Sequence, residues 1–316
     1  MVKIDLVTGF LGTGKTTFIR KYAKYLMHKG LNIGIIENDF GAINIDMLLL
    51  QDLECNQCDV EPIVGGNVIS DWKRRFKAKL VALYMQGVDR VIVEPSGIYD
   101  VDAFFEVLYD EPVDAWYEIG SIFTLVDAKL DDRLSQQAEY LLLTQVACSG
   151  QILLSKTKDA TEEQIQGTVN HLQGLLETYH CDQDISQRIQ RRDWNKLVDN
   201  DYEMLMNCGW KSASYSRLSF DKNDVFTSLF FMNVKMPEER IKPWVEQFMT
   251  DSKYGTVFRI KGFFQEADES WIEVNATKEH MQINAASVGQ EVVIVIGEAL
   301  NQEAITAYMN QYQNSN

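Results

Sequence analysis

The sequence has few of the residues that build disulfide scaffolds, nucleic-acid interfaces or membrane spans. Its 316 residues hold five cysteines, an odd number that argues against a disulfide framework and favours a reducing compartment. Basic residues number 30 against 46 acidic ones, and the net charge of -16 opposes binding to nucleic acid or anionic lipid. No apolar run approaches the roughly 20 residues that span a bilayer, and the N-terminus carries no leader pattern. We therefore expect a cytoplasmic protein with no nucleic-acid or membrane partner.

The sequence does contain two stretches of different periodicity. Over residues 1–185, short apolar strands alternate with amphipathic helices, which predicts a mainly parallel sheet with helices on both faces. Over residues 213–316, strand-like segments dominate and two helices flank them, which predicts a smaller C-terminal α+β domain. The polar stretch between them, residues 186–212, is interpreted as an irregular linker. The predicted fold class is α/β.

A glycine-rich motif joins the first predicted strand to the first predicted helix. The run Gly9-Phe10-Leu11-Gly12-Thr13-Gly14-Lys15-Thr16 matches the phosphate-binding pattern G-x-x-x-x-G-K-[ST] at every fixed position. Glycines let backbone N–H groups turn toward an anion, and the helix N-terminus adds a positive dipole end. Lys15 is expected to reach the β- and γ-phosphates, and the Thr16 hydroxyl to ligate Mg²⁺. The motif predicts a P-loop nucleoside-triphosphate hydrolase. Its expected nucleotide-binding residues are Gly9, Gly12, Thr13, Gly14, Lys15, Thr16 and Thr17.

Two further segments supply carboxylates for this site. Glu94-Pro95-Ser96-Gly97 follows a predicted strand, where a P-loop protein places the acid that holds Mg²⁺ or its water. Gly97 would let its backbone N–H approach the γ-phosphate. Asp39, on the loop after the second predicted strand, is a second acid within reach of the metal. Either segment alone would be an ordinary turn. With the phosphate loop, they make Lys15, Asp39 and Glu94 the predicted catalytic residues, and Thr16, Asp39 and Glu94 the predicted magnesium ligands.

These motifs, together with later ones, resemble the CobW-type GTPase family, a metallochaperone-like branch of the P-loop GTPases. The resemblance is carried, in the expected order, by residues 9–17, 37–41, 94–97, 126–128, 153–157, 258–263 and 296–298. That family couples GTP binding and slow hydrolysis to the delivery of a metal such as zinc or cobalt. The resemblance therefore implies GTP and GDP as ligands, Mg²⁺ as cofactor, and a metalloprotein or cofactor enzyme as client.

The base-reading loop departs from the family pattern. By the resemblance, Ser155-Lys156-Thr157-Lys158 corresponds to Asn-Lys-x-Asp, so Lys158 stands where an aspartate should bind guanine. Asp159 comes one position late. We still expect Ser155 and Lys156 to contact the nucleotide, with the aliphatic stem of Lys156 stacked on the purine. GTP is the first expectation, and ATP or relaxed base specificity stays open because a carboxylate is what discriminates guanine.

The family's Cys-x-Cys-Cys metal motif is missing as well. The three aligned positions hold Asn67, Ile69 and Ser70, which lack the soft thiolates that select zinc or cobalt. Cys55 and Cys58, spaced as C-x-x-C, are the remaining candidates for Zn²⁺ or Co²⁺, with two surface thiols as the alternative. A homodimer would complete a four-thiolate site by pairing one such motif from each chain.

Two function classes follow from these residues. The first is a GTP-binding switch protein that assists metal or metallocofactor delivery to a client protein, which the resemblance favours. The second is a nucleotide-switched regulatory or activating protein without metal binding, which the missing cysteines favour. An ATPase with altered base specificity is a third alternative, because the base-reading loop is unusual.

Overall fold

The computed structural model describes residues 1–38, 50–63, 69–97, 101–130, 134–218, 226–266, 268–286, 289 and 291–313. The chain divides into two compact units, Met1–Ser219 and Phe220–Asn316. Within the described ranges, the first unit holds a seven-stranded sheet and the second a five-stranded sheet. None of the helices in these ranges is both long and apolar enough to cross a membrane.

The first unit is built on a parallel sheet. Its strands are β1 (Val2–Gly9), β2 (Ile33–Asn38), β3 (Cys58–Ile63), β4 (Arg90–Glu94), β5 (Tyr117–Asp127), β6 (Gln151–Ser155) and β7 (Ile189–Gln190). They lie in the order β3-β2-β4-β1-β5-β6-β7, and each neighbouring pair is parallel. Because all strands run the same way, their carboxyl ends meet at one edge of the sheet.

Helices cover both faces of this sheet. They are α1 (Lys15–His28), α2 (Ile69–Gln86), α3 (Val101–Leu108), α4 (Val113–Trp116), α5 (Gln136–Ala147), α6 (Glu162–Thr178) and α7 (Asp199–Met206). Side chains alternate along β1, so Ile4 and Leu6 join a core with α2 and α3, while Val7 joins a second core with α1. The predicted α/β class, with helices on both faces, is confirmed.

Residues 186–212 differ from the predicted linker, because they contribute structure to the first unit. β7 extends the sheet beside β6, and α7 packs near α1. Trp194, Tyr202 and Leu205 are buried in the core around α1. Trp194 stands alone among polar residues, and the helical spacing of Tyr202 and Leu205 extends over only one short helix, so the pattern alone indicates an irregular segment.

The second unit is an antiparallel sheet with two helices. Its elements are β8 (Phe226–Met232), α8 (Glu238–Thr250), β9 (Thr256–Gln265), β10 (Trp271–Thr277), β11 (His280–Ala286), β12 (Val292–Glu298) and α9 (Gln302–Gln313). The strand order is β11-β10-β9-β12-β8, with antiparallel neighbours throughout. α8 contacts β9, α9 contacts β8, and both helices share one apolar core with the sheet. This confirms the predicted α+β architecture of the C-terminal part.

Candidate functional site

The phosphate loop lies at the centre of the edge where the strands of the first unit end. β1 is flanked by β4 and β5, so the loop that follows β1 has the carboxyl ends of both strands beside it. In parallel α/β sheets, ligands bind in the crevice outside these ends. The topology therefore places the predicted nucleotide-binding loop where such a fold binds its ligand.

The shape of the loop depends on glycine at two positions. Gly9 has a φ of 141°, and a Cβ there would lie 2.3 Å from the carbonyl oxygen of Leu125. Gly14, immediately before α1, has a φ of 88° in the left-handed region. The Thr13 hydroxyl donates to the Phe10 carbonyl at 2.9 Å and holds the turn closed. The loop thus delivers the N-terminus of α1, with its outward N–H groups, to an anion.

Lys15, Thr16 and Glu94 come together at this loop. The Lys15 ammonium donates to the carbonyls of Gly9 at 3.0 Å and Phe10 at 3.3 Å. The Thr16 hydroxyl donates to Oε1 of Glu94 at 2.8 Å. Lys15, Thr16 and Glu94 are all buried, whereas the neighbouring Thr17 is exposed on the first turn of α1. The arrangement sets one cation, one hydroxyl and one carboxylate side by side.

The loop after β4 packs directly on the phosphate loop. A Cβ on Gly97 would lie 2.7 Å from the backbone nitrogen of Leu11, so only glycine permits this approach. Gln145 of α5 donates from Nε2 to the Gly97 carbonyl at 3.4 Å. Gly97 is thus held against the residues that the motif assigns to the phosphates.

Glu37 is an acid of this site that the sequence analysis did not select. It is the register partner of Glu94 on the adjacent parallel strand, so the two side chains lie on the same face of the sheet. Glu37 is 1% exposed and Glu94 3% exposed. β2 continues to Asn38, so Glu37 lies within the sheet. Asp39, the other predicted acid, lies outside the described residues.

The donor set around Thr16 fits magnesium. Hydroxyl and carboxylate oxygens are the hard ligands that Mg²⁺ prefers, and it is commonly held by one or two carboxylates together with substrate phosphates. Thr16 and Glu94 provide such oxygens within 2.8 Å of each other, with Glu37 on the neighbouring strand. Two buried acids on adjacent strands also favour a cation between them.

The predicted base-contacting residues, Ser155 and Lys156, lie at the end of β6 and directly after it. Lys156 has a left-handed backbone with a φ of 55°, and its ammonium pairs with Oδ2 of Asp127 at 2.7 Å. Asp127 ends β5, so this ion pair ties the two strand ends together. Ser155 is buried, and its hydroxyl has no hydrogen-bond partner within the described part of the chain. Buried polar groups are normally satisfied, so an unpartnered hydroxyl at a strand end suits a ligand contact.

Cys55 and Cys58 form a tight turn rather than an open chelating pair. Each donates its backbone N–H to the carbonyl of the other, at 3.1 and 3.0 Å. Cys55 is exposed, while Cys58 enters β3 and is buried. Burial raises the pKa of Cys58 to about 12, and a metal ligand must be a thiolate. Over the ranges the structure describes, no group of three or more His, Cys, Asp or Glu is arranged to hold a metal ion.

Known proteins share both parts of this architecture. The family model for the CobW/HypB/UreG nucleotide-binding domain matches residues 3–181, and that for the cobalamin synthesis protein cobW C-terminal domain matches residues 228–312. The zinc chaperone YjiA of Escherichia coli (strain K12) is 27% identical over 169 residues, covering 51% of this chain and 51% of YjiA. The zinc chaperone YeiR of the same organism is 28% identical over 171 residues, covering 52% of this chain and 50% of YeiR.

The chain thus spans about half the length of these curated relatives. In a structural comparison, the match to the crystal structure of Zn(II)-bound YjiA GTPase from E. coli covers 99% of both chains. The sequence identity is 18% and the TM-score is 0.39. The nucleotide-binding family model covers more than half of the 316 residues, and its match begins just before the phosphate loop. On that match, the protein belongs to the CobW/HypB/UreG family.

Proposed function

We propose that this protein binds GTP with Mg²⁺, hydrolyses it slowly, and uses the cycle to deliver a metal or metallocofactor to a client protein. The observation that carries the proposal is the meeting of Lys15, Thr16 and Glu94 at the phosphate loop. The relatives YjiA and YeiR are zinc chaperones by name, which supports the second half of the proposal.

The phosphate loop and the neighbouring acids have different roles in the proposed hydrolysis. Lys15 and the loop amides stabilise negative charge that develops on the phosphates. Thr16 and Glu94, with Asp39, would hold Mg²⁺, which would neutralise negative charge on the phosphates when bound. An arginine finger accelerates such hydrolysis by about 10³–10⁵-fold. We assign no arginine to that role in this chain, so we expect slow intrinsic turnover.

A nucleotide-switched regulatory protein without transition-metal binding is the second candidate. Asn67, Ile69 and Ser70 replace the cysteines of the family motif, and the structure places Cys58 in the core. Equilibrium dialysis with Zn²⁺, Co²⁺ or Ni²⁺, with and without GTP, separates the two candidates. Sub-micromolar uptake supports metal delivery, and no uptake in either nucleotide condition supports the regulatory protein.

Substitution of Lys15 tests the nucleotide half of the proposal. Lys15→Ala should weaken binding of a fluorescent GTP analogue by about 100-fold, because charge-assisted hydrogen bonds to the phosphates are lost. Lys24→Ala is the matched control, since Lys24 is an exposed lysine on the same helix. Equal binding by the two variants would refute the assignment. Competition by ATP in the same assay decides between a GTPase and an ATPase.

A further inference from the structure

The loop after β6 cannot read guanine with the residue at its expected position. Guanine presents N1–H and N2–H donors and needs an acceptor, whereas the Lys158 ammonium is a donor only. Lys158 and Asp159 lie on the short turn Thr157–Asp159, and both are exposed. A protein of this family that selects GTP with such a loop must take the acceptor from elsewhere.

The segment after β7 leaves the sheet at the same edge. β7 is the parallel neighbour of β6, with Gln190 in register with Leu153. The residues that follow each strand therefore begin side by side. This segment lies in the stretch that the sequence predicts to be a linker, and no sequence motif marks it.

Trp194 fixes this segment against the phosphate loop. Its Cζ2 lies 3.4 Å from the position that a Cβ on Gly14 would occupy, and its ring packs edge-on to Phe18 with centroids 6.0 Å apart. The indole is 5% exposed, and Nε1 has no hydrogen-bond partner among the residues the structure describes. Nε1 is two bonds from Cζ2, so the edge of the ring that faces Gly14 also carries the unpartnered donor.

Asp193, the residue before Trp194, presents a carboxylate beside this contact. Its Oδ1 accepts hydrogen bonds from the backbone N–H and the side-chain amide of Asn195, both at 2.9 Å. Those bonds orient the side chain and use one of its two oxygens. The hydrogen bond from the Asn195 backbone is the main cause that lowers the pKa of Asp193. Burial opposes it, and the Asn195 side chain and the charges of Lys196 and Lys158 reinforce it. The carboxylate is therefore ionised at neutral pH and lies within electrostatic range of Lys158.

The two arginines that precede Asp193 are engaged elsewhere. Arg191 donates to Gln166 on α6 at 2.9 Å. Arg192 pairs with Asp201 at 3.1 Å and donates to the Lys196 carbonyl at 2.7 Å. Asp193, which neither arginine pairs with, directly precedes the indole that packs on the phosphate loop and interacts electrostatically with Lys158 of the β6 loop.

We propose that Asp193 reads the base: its second oxygen, Oδ2, accepts hydrogen bonds from N1–H and N2–H of guanine in place of the acid that Lys158 has replaced. Ser155, at the end of the neighbouring strand, and the indole N–H of Trp194 supply further polar contacts to the nucleoside. The inference rests on the proposed binding of GTP, and it assigns the specificity of that same site to a residue outside the family's base-reading motif.

Exchange of Asp193 for asparagine tests this assignment by a gain of binding. With Oδ1 still held by Asn195, the amide NH₂ opposes the N–H donors of guanine but can donate to the 2-oxo group of xanthine. Asp193→Asn should therefore bind GTP about 10- to 100-fold more weakly and should prefer XTP to GTP. Asp159→Asn is the matched control, because Asp159 is the exposed acid of the β6 loop, and it should keep the wild-type preference. A gain of XTP binding cannot result from misfolding.

Three outcomes would overturn the assignment. One is an Asp193→Asn protein whose GTP affinity stays within twofold of wild type without XTP binding. Another is a switch to XTP in Asp159→Asn. The third is a wild-type protein that binds ATP and GTP equally in a Lys15-dependent manner, which would leave the phosphate site intact. A wild-type protein that binds neither nucleotide would instead refute the proposed function together with this inference.

Discussion

The Thr16 hydroxyl donates a 2.8 Å hydrogen bond to Oε1 of Glu94, although 78 residues separate the two in sequence. Both residues are buried at the carboxyl edge of the sheet. The bond links the start of α1, the helix that follows the phosphate loop, to the end of β4. The residue predicted to ligate Mg²⁺ and the predicted acid are therefore in direct contact.

Glu94→Gln should separate nucleotide binding from hydrolysis. The amide still accepts from Thr16, but the negative charge for the cation is gone, so hydrolysis should fall by about 100-fold while nucleotide binding changes little. Single-turnover phosphate release with Mg²⁺ measures the effect. Glu118→Gln, which changes an acid that is half exposed on β5, should behave as wild type. Unchanged hydrolysis in Glu94→Gln would contradict the assignment of Glu94 as a catalytic residue.

Gly9→Ala should damage the loop, whereas Gly167→Ala should stabilise the protein. A Cβ at Gly9 meets the Leu125 carbonyl at 2.3 Å at a φ of 141°, and such strain costs about 1–3 kcal/mol. Gly167 lies in α6 with open space around it, and alanine is preferred to glycine in a helix by about 0.5–1 kcal/mol. Urea unfolding and GTP binding compare the variants. A Gly9→Ala protein with normal affinity would contradict the proposed loop geometry.

Arg90→Ala should be the most destabilising of these changes. Arg90 forms a bidentate pair with fully buried Asp5, which also accepts from the Tyr22 hydroxyl at 2.8 Å and the Ser121 N–H at 2.7 Å. Removal of one partner leaves a buried charge uncompensated and costs about 3–5 kcal/mol.

The control for that pair is Lys3→Ala, which removes a solvent-exposed ion pair with Glu118 and should cost less than about 1 kcal/mol. The free energies of unfolding, measured by chemical denaturation at neutral pH, give both values. Similar losses in the two variants would show that burial of the Asp5–Arg90 pair contributes nothing special.

Alkylation should distinguish Cys55 from Cys58. Burial raises the pKa of Cys58 to about 12 from an ordinary value of 9.0, so at pH 8 only about one Cys58 in ten thousand is a thiolate, the reactive form. Cys55 is exposed and should react with iodoacetamide much faster in the folded protein, as peptide mass spectrometry can follow. Rapid labelling of both thiols without denaturant would contradict the buried position of Cys58.

The same pKa shift makes a prediction about pH. The folded state retains the Cys58 proton while the unfolded state releases it above about pH 9, so this thiol's contribution to stability is complete below pH 9. It is lost as the pH rises from 9 toward 12. Cys58→Ser should reduce the slope of the free energy of unfolding against pH in that range, and Cys55→Ser should not.

Local sequence patterns were sufficient to predict much of the fold, the phosphate loop and Glu94. The strands β1, β4 and β6 are buried on both faces, so their apolar runs are continuous. Such runs predict a strand without knowledge of the strands that pair with it. The phosphate loop could also be predicted from the sequence, because Gly9, Lys15 and Thr16 lie within one short motif. Glu94 was identified through its position after a strand, and not through any feature of its own.

The residues that escaped the sequence analysis are those whose role depends on distant neighbours. Glu37 matters because β2 pairs in register with β4, and Trp194 because its segment folds back on Gly14. Neither contact leaves a trace in local periodicity. The spacing of Cys55 and Cys58 resembled a chelating pair, yet the strand that begins at Cys58 carries that thiol into the core.

By itself, the sequence determined the phosphate-binding motif, the alternation of strands and helices, and the absence of the family's metal-binding cysteines. These features are set by neighbouring residues, through glycine conformations and side-chain periodicity. Tertiary structure alone decided that Thr16 meets Glu94, that Glu37 lies beside Glu94, and that Asp193 interacts electrostatically with Lys158 of the β6 loop. Those relationships depend on strand order and register, which are fixed by burial across the whole sheet.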